Sequence, residues 1–293
     1  MKTLYVTDLD GTLLDNDSRV SLTSARLLSE LAHRGVMFTP ATARTPATVQ
    51  PLLSGVAQSQ YVDDKGLRRP LPAIVMTGSA LWNRVERRFE SCELIPEADA
   101  LAIKKVFDEI GLMPFVYCLG DGGFLNVYHP KAMNRREDSF YQERRHLELK
   151  RFHLDQQPKS WDSVALFFTL GPVDMVKRAS EQLQSCTECA AAWYPDVIIP
   201  ETGLIDIYAP GVSKAHAVSE LARKVGADEV VVFGDNLNDL PMMRVATHAV
   251  AVENALPEVK TAADEVIGLN SADAVARYIA VREGYDPDEL IRR

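Results

Sequence analysis

Short apolar runs alternate with amphipathic segments in the first part of the chain. Thr3–Thr7 is a run of β-branched and apolar residues, and this composition predicts a buried strand. The next segment, SLTSARLLSELAHRG, has leucines at helical spacing and ends at Gly35, which predicts a helix. Strands are predicted at Val36–Thr39 and Ala73–Met76, with a helix opened by Pro46 between them. This alternation predicts a parallel sheet covered by helices.

The pattern changes after about residue 83. Two strand-like runs flank Gly120–Gly123, which predicts a hairpin and therefore antiparallel pairing. A further strand is predicted at 163–170. Helical patterns surround these strands at Glu97–Ile110, Lys131–Arg151 and Val173–Gln184. The middle of the chain is therefore expected to form an α+β unit of its own.

The first pattern returns near residue 204, where LIDIYA predicts a strand. It continues with a helix at Ser213–Val225, a strand at 229–235, a helix at Leu237–Val245 and a strand at 248–254. The simplest organisation is one sheet that is interrupted by the middle unit.

We therefore predict an α/β fold with a doubly wound, mostly parallel sheet as its core. Residues 1–83 and 197–293 would form this core, and residues 84–196 would form an inserted α+β domain.

Composition narrows the class of protein. The chain has 293 residues, 46% of them hydrophobic, enough for a full core in one or two domains. Its 32 Lys and Arg against 41 Asp and Glu give a net charge of −9, which disfavours duplex nucleic acid and anionic membranes as partners. From the sequence we expect neither a bilayer-spanning segment nor a signal peptide.

The cysteines predict a reducing compartment. Four cysteines are too few for a disulfide framework, so we expect a cytoplasmic protein. Cys186 and Cys189 form a C-x-x-C pair without the second pair that a zinc site needs, and a structural role is expected for them. The oligomeric state stays open between a monomer and a weak dimer.

Polar residues cluster where predicted strands end. DLDGT at 8–12 follows the first strand, Thr42-Ala43-Arg44 follows the second, and GDNLND at 234–239 ends a later one. Lys214 stands at the start of a predicted helix. Ligands of open α/β sheets bind outside the carboxyl ends of the strands, so these residues are candidates for one site.

The aspartates in this set predict a cation. Asp8 and Asp10 can face one side of the backbone while Leu9 faces the core, because alternate residues of an extended chain share a face. Two carboxylates in one cleft repel each other and favour a bound cation, to which Asp235 would add a third carboxylate. A set of oxygen ligands without His or Cys favours Mg²⁺ over zinc.

The same residue types suit phosphoryl transfer. A carboxylate can act as nucleophile and form an aspartyl-phosphate, while a lysine, a hydroxyl group and a metal neutralise the phosphoryl oxygens. A second carboxyl group can protonate the leaving oxygen and later activate water. The alternative for Asp8 and Asp10 is a turn held by local side-chain hydrogen bonds.

DLDGT at 8–12, Thr42, Lys214 and GDNLND at 234–239 resemble, in this order, the four motifs of the haloacid dehalogenase (HAD) superfamily. GVSKAHAV and FGDNLNDLPMM are similar to the Cof-type branch of sugar-phosphate and related phosphatases. The resemblance covers nearly the whole chain. It implies a HAD-like fold in which the inserted domain is a C2-type cap that selects the substrate.

The resemblance also implies roles for the matching residues. Asp8 would be the nucleophile, Asp10 the general acid and base, Thr42 would bind the phosphoryl group and Lys214 would neutralise it. The Asp8 carboxylate, the Asp10 main-chain carbonyl and Asp235 would hold Mg²⁺.

Two further positions complete the set. Asp239 would orient the metal waters or Lys214, and Asn238 would touch the phosphoryl group. The residues predicted to contact phosphate or substrate are Asp8, Leu9, Thr42, Ala43, Arg44, Lys214 and Asn238.

The predicted function is Mg²⁺-dependent hydrolysis of small phosphorylated metabolites, sugar phosphates or similar, through an aspartyl-phosphate. A phosphomutase of the same superfamily is the first alternative. A non-catalytic phospho-receiver is the second, and it is disfavoured because a receiver has no counterpart of Asp10 as an acid.

Overall fold

A computed structural model describes residues 1–196 and 199–292. The chain divides into two compact units, one formed by Met1–Glu90 with Ser213–Arg293 and the other by Ser91–Val212. The second unit is therefore inserted into the first, as predicted. The predicted domain boundary at residue 197 itself lies outside the described residues, but the inserted unit ends at Val212 and not at residue 196 as predicted.

The strands are β1 (Thr3–Thr7), β2 (Met37–Pro40), β3 (Gln60–Val62), β4 (Arg68–Pro70), β5 (Ala73–Val75), β6 (Ala80–Asn83), β7 (Arg88–Cys92), β8 (Phe115–Leu119), β9 (Leu125–His129), β10 (Lys150–Leu154), β11 (Val164–Pro172), β12 (Cys189–Pro195), β13 (Thr202–Pro210), β14 (Glu229–Gly234), β15 (His248–Ala251) and β16 (Glu265–Val266).

The helices are α1 (Leu22–His33), α2 (Pro46–Leu52), α3 (Glu97–Ile110), α4 (Arg135–Arg144), α5 (Val173–Cys186), α6 (Lys214–Val225), α7 (Leu240–Val245), α8 (Pro257–Ala262), α9 (Ala274–Arg282) and α10 (Pro287–Arg292). Across the described residues, each helix is too short or too polar to traverse a bilayer.

The first unit contains a parallel sheet in the order β16-β15-β14-β1-β2. Helix α1 packs against α9 and α10, and α6 packs against α7, as expected of helices that cover a doubly wound sheet. The Ser21 side chain caps α1 by accepting a hydrogen bond from the Ser24 N–H, and Leu27, Leu28 and Leu31 are buried. The predicted α/β core is thus confirmed.

The second unit contains a mixed sheet in the order β10-β9-β8-β11-β13-β12. Strands β8 and β9 form the predicted antiparallel hairpin around Asp121–Gly123. Helices α3 and α5 pack against each other, and α5 also contacts β12 and β13. The inserted α+β domain is therefore confirmed.

One predicted helix is too long. The segment Lys131–Arg151 was expected to be helical throughout, but α4 covers only Arg135–Arg144. Leu149 has a positive φ of 64°, a conformation that breaks a helix. The chain instead continues into β10, which pairs with β9 in parallel.

The strand predicted from LIDIYA exists but does not join the parallel core. It is part of β13, which pairs antiparallel with β11 on one side and β12 on the other. Both edges of β13 are therefore hydrogen-bonded within the inserted unit. Composition predicts that such a run is a strand, but it carries no information on which strand becomes its neighbour.

The C-x-x-C pair lies where α5 ends and β12 begins. Cys186 is the last residue of α5, Cys189 is the first of β12, and both carry free thiols.

Candidate active site

The turn after β1 brings its polar residues to the carboxyl end of the parallel sheet. The Asp8 N–H continues the sheet by donating to Phe233 O at 3.0 Å. Gly11 then turns the chain with a φ of 76°, and a Cβ atom there would lie 2.4 Å from Asp235 Oδ2. Only glycine permits this approach, which brings the first motif against the carboxylate of the last one.

Lys214 lies between two carboxylates. Its ammonium donates to Asp8 Oδ1 at 2.5 Å and to Asp239 Oδ1 at 2.8 Å. Lys214 is the first residue of α6, and the Ser213 hydroxyl caps this helix by accepting a hydrogen bond from the His216 N–H. Lys214 retains 2% of its accessible surface, so these three charged groups form a buried cluster.

Asp239 is held in place by the main chain. Its Oδ2 accepts from the N–H groups of Asp235 and Asn236 at 3.1 and 3.2 Å. Its other oxygen is the one that accepts from Lys214. Asp239 is thus placed to orient Lys214, one of the two roles that the resemblance implies for it.

Burial and charge oppose each other in this cluster. Burial lowers the pKa of Lys214, but the Asp8 and Asp239 carboxylates raise it by a larger amount, so the pKa lies above its ordinary value. Burial raises the pKa of Asp8, and the Lys214 ammonium opposes this shift. The cluster therefore keeps a cation beside two acidic groups in a region with little water.

The start of α6 is packed closely against the turn after β5. Gly78 has a φ of 98°, and a Cβ atom there would lie 2.3 Å from Ser213 O. The turn also has positive φ values of 53° and 58° at Met76 and Thr77. The glycine of the Thr77-Gly78-Ser79 sequence is thus required by the approach of the α6 N-terminus.

Three carboxylates can supply oxygen ligands to one cation. Oxygen atoms of Asp8, Asp235 and Asp239 all lie within 4.8 Å of one another. Asp239 is already engaged by Lys214 and by two main-chain N–H groups, which leaves Asp8 and Asp235 as the better placed ligands. An all-oxygen set with few protein ligands suits Mg²⁺.

The first and second motifs meet through Asp10. Asp10 is exposed, and its carboxylate accepts two hydrogen bonds from the Arg44 guanidinium instead of joining the three carboxylates. Thr42 is buried, and its hydroxyl accepts from the Arg44 N–H at 3.2 Å. The Asp10 side chain is thus paired with Arg44. The main-chain oxygen of Asp10 remains the atom predicted to bind the metal.

The other predicted contact residues differ in exposure. Leu9 is buried, whereas Ala43 and Asn238 are exposed. Asn238 lies in the single turn Leu237–Asp239, directly before the residue that binds Lys214.

Sequence reasoning missed two polar residues of this site. The Thr12 hydroxyl donates to Asp235 Oδ1 at 2.8 Å, and Asn254 Nδ2 donates to Gly11 O at 2.7 Å. Asn254 also accepts from the Asn270 N–H. Asn254 follows β15, so the rule that sites form at the carboxyl ends of parallel strands could have identified it.

The chain is similar to known phosphatases over almost its whole length. The chain is 26% identical over 289 residues to the 5-amino-6-(5-phospho-D-ribitylamino)uracil phosphatase YwtE of Bacillus subtilis. The alignment covers 93% of this chain and 95% of YwtE. It is also 26% identical over 290 residues to the pyridoxal phosphate phosphatase YbhA of Escherichia coli, with coverage of 93% and 95%.

The fold recurs in solved structures. A haloacid dehalogenase-like hydrolase from Bacteroides thetaiotaomicron superposes with a TM-score of 0.70 at 20% identity, covering 95% of this chain and 98% of that one. TM0651 from Thermotoga maritima gives a TM-score of 0.72 at 22% identity, with coverage of 98% and 99%.

A family model described as haloacid dehalogenase-like hydrolase matches residues 5–279. This match includes all four motifs and the inserted unit. The chain therefore belongs to the haloacid dehalogenase-like hydrolase family.

Proposed function

We propose that the protein is a Mg²⁺-dependent phosphatase of small phosphorylated metabolites that acts through an aspartyl-phosphate on Asp8. The observation that carries this proposal is the buried contact of Lys214 with Asp8 and Asp239, with Asp235 beside them. A carboxylate, a fixed ammonium and a set of metal ligands are the groups that phosphoryl transfer needs.

In the first step an oxygen of Asp8 attacks phosphorus. An O–P bond forms to Asp8 while the P–O bond to the leaving group breaks, and Asp10 donates its proton to the leaving oxygen. Lys214 stabilises the negative charge of the phosphoryl oxygens, and Thr42 contributes a hydroxyl group to them.

In the second step water attacks the phosphorus of the aspartyl-phosphate. Asp10, now a carboxylate, accepts a proton from this water, and the O–P bond to Asp8 breaks. Inorganic phosphate leaves, and Asp8 and Asp10 return to their starting states.

Asp8 and Asp235 would hold Mg²⁺, with the main-chain oxygen of Asp10 as a further ligand. The bound ion would supply Lewis-acid stabilisation of charge on the phosphoryl group. Asp239 would keep Lys214 oriented, which matches its hydrogen bonds to Lys214 and the main chain.

The substrate would be a phosphomonoester of a small metabolite. The two relatives named above act, by their names, on phosphorylated derivatives of a ribitylaminouracil and of pyridoxal. Both kinds of phosphorylated compound belong in a substrate screen, together with sugar phosphates and nucleotides. The inserted unit would select among these substrates by contacting the part beyond the phosphoryl group.

The test is phosphate release from this panel and from a generic aryl phosphate, with and without Mg²⁺. We expect activity that is lost on chelation and restored by Mg²⁺. Asp8→Asn should lower turnover by about 10⁴-fold or more, because no covalent intermediate can form. Asp17→Asn, an exposed acidic position in the following loop, is the control and should keep full activity.

Three results would count against the proposal. These are full activity after exhaustive chelation, normal turnover of Asp8→Asn, or labelled phosphate trapped on another residue. A requirement for a bisphosphate activator would indicate a phosphomutase instead.

A further inference from the structure

Arg44 and Asp10 form an ion pair with two hydrogen bonds. Arg44 Nε donates to Asp10 Oδ2 at 2.7 Å, and Nη2 donates to Oδ1 at 2.5 Å. Both oxygens of the carboxylate are thus held by one planar guanidinium. A lysine at this position could not reproduce such a geometry, because its ammonium is a single point charge.

The main chain fixes the point from which the Arg44 side chain extends. The Arg44 N–H donates to Thr42 Oγ1 at 3.2 Å, and its carbonyl accepts from the Met76 N–H at 3.0 Å. Met76 has a positive φ of 53°, a conformation that costs free energy in a residue other than glycine and persists where its surroundings impose it. Arg44 is therefore supported on both sides of its Cα atom.

Stability does not explain this pair. The side chains of Arg44 and Asp10 are 27% and 50% exposed, and ion pairs with this exposure contribute at most about 1 kcal/mol. A carboxylate as exposed as that of Asp10 would otherwise sample several rotamers. The effect of Arg44 that remains is to restrict Asp10 to one orientation.

We propose that Arg44 is the positioning residue for Asp10, and that it does not itself bind the phosphoryl group. This inference rests on the proposed function, in which Asp10 is the general acid and base. It replaces the contact with phosphate or substrate that was predicted for Arg44 from the sequence, where a structural role was the alternative.

The two-point contact is compatible with proton transfer. When Asp10 carries its proton, the protonated oxygen donates to the leaving-group oxygen, while the other oxygen still accepts from Arg44. The proton passes to the leaving oxygen as the P–O bond breaks. The resulting carboxylate then accepts both hydrogen bonds from Arg44 again.

The test uses the wild-type protein, Arg44→Met, Asp10→Asn and the double variant. Each is assayed with an aryl phosphate, whose leaving group needs no proton, and with an alkyl phosphate that the screen has identified as a substrate. We expect Arg44→Met to lower kcat on the alkyl phosphate by about tenfold and on the aryl phosphate by less than about threefold, because only the former needs the acid. KM should stay within about twofold on both, since no contact with the phosphoryl group is removed.

The double variant provides the decisive comparison. In the Asp10→Asn background, Arg44→Met should change kcat by less than about twofold, because residues that act through each other are not additive. Arg44→Lys keeps the positive charge but cannot donate two parallel hydrogen bonds to the carboxylate, so it should resemble Arg44→Met. Arg34→Met removes an exposed arginine paired with Glu30 on α1 and should leave all rates unchanged.

Equal losses on both substrates, a raised KM, or additive effects in the double variant would overturn the inference and make Arg44 a ligand of the phosphoryl group. Should Arg44→Met fail to fold, the same comparison in Arg44→Lys decides the question. A failure of the proposed function looks different, because Asp10→Asn alone would then reduce both substrates equally.

Discussion

The two units each contain a buried lysine, and the two lysines have opposite surroundings. Lys214 of the first unit is 2% exposed, and its ammonium contacts two carboxylates. Lys150 of the inserted unit is 6% exposed, and its ammonium faces the rings of Tyr117 and Phe140 at 5.0 and 6.0 Å. Similar burial is thus combined with ion pairs in one unit and with aromatic rings in the other.

The difference appears in the proton affinity of the two amines. The carboxylates raise the pKa of Lys214 in spite of its burial. Burial, with a smaller effect from the Arg144 charge, lowers the pKa of Lys150 to about 7. Burial thus weakens proton binding at Lys150, whereas the carboxylates beside Lys214 more than offset the loss of hydration of its ammonium.

The largest expected effect is that of Lys214→Met. Asp8 and Asp239 would remain buried without their shared cation, so the free energy of unfolding of the first unit should fall by about 3–5 kcal/mol. Turnover of an aryl phosphate should fall by about 10³-fold or more, because a charge that stabilises the transition state is lost. Urea denaturation, hydrogen exchange of α6 peptides and initial rates measure these effects.

Lys224→Met is the matched control on the same helix. Lys224 pairs with Glu90 at 2.6 Å, but the Lys224 side chain is 39% exposed, and the loss of this pair should cost at most about 1 kcal/mol. If Lys214→Met were as stable and as active as Lys224→Met, the ion pairs of Lys214 with Asp8 and Asp239 would contribute neither to stability nor to turnover.

Much of the first unit could be predicted because local patterns carry the relevant information. β1 and β14 are short, mostly apolar runs that are followed directly by aspartates, and parallel strands bring such ends to one edge of the sheet. The contact of Asp8 with Lys214 follows from this topology and from the cap at Ser213. The site residues are predictable where secondary structure alone places them.

Two features could not be predicted, because they depend on which segments of the chain contact each other in the folded structure. The pairing of Arg44 with Asp10 joins two loops whose side-chain directions no periodicity specifies. Lys150 belongs to a stretch of mixed charge that is typical of a solvated helix. Its burial arises because the chain leaves the helix at Arg144 and forms β10 beside β9.

A smaller effect of opposite sign is expected for Lys150→Met. Within the described part of the chain, the Lys150 amine has no carboxylate partner, so replacing it by a side chain of similar length removes a desolvation cost. The inserted unit should therefore become more stable by about 1–3 kcal/mol at pH 7. Lys131→Met, at an exposed position before α4, is the control and should be neutral. Urea denaturation combined with hydrogen exchange of β8 and β10 peptides tests this, and a destabilised Lys150→Met would show that the cation–ring contacts outweigh the cost of burial.

The last expected effect is the change of that gain with pH. The unfolded chain binds a proton at Lys150 up to a pKa near 10.5, whereas the folded chain loses it at a pKa of about 7. Between these values the unfolded state binds more protons, so this group makes the wild-type protein more stable as the pH rises, by up to about 1.4 kcal/mol per pH unit.

Lys150→Met lacks this dependence, and its advantage over the wild type should therefore shrink between pH 7.5 and pH 9.5. Burial raises the pKa of Tyr117 above its ordinary value, so this neighbour stays neutral in the same range. Urea denaturation curves of the two proteins, followed by tryptophan fluorescence at both pH values, provide the measurement. All three tryptophans are common to both proteins, so the difference between the curves reports on Lys150. A stability difference that stays constant over this range would mean that the Lys150 amine keeps its proton in the folded state, and that aromatic rings hold a buried cation as effectively as the carboxylates around Lys214 do.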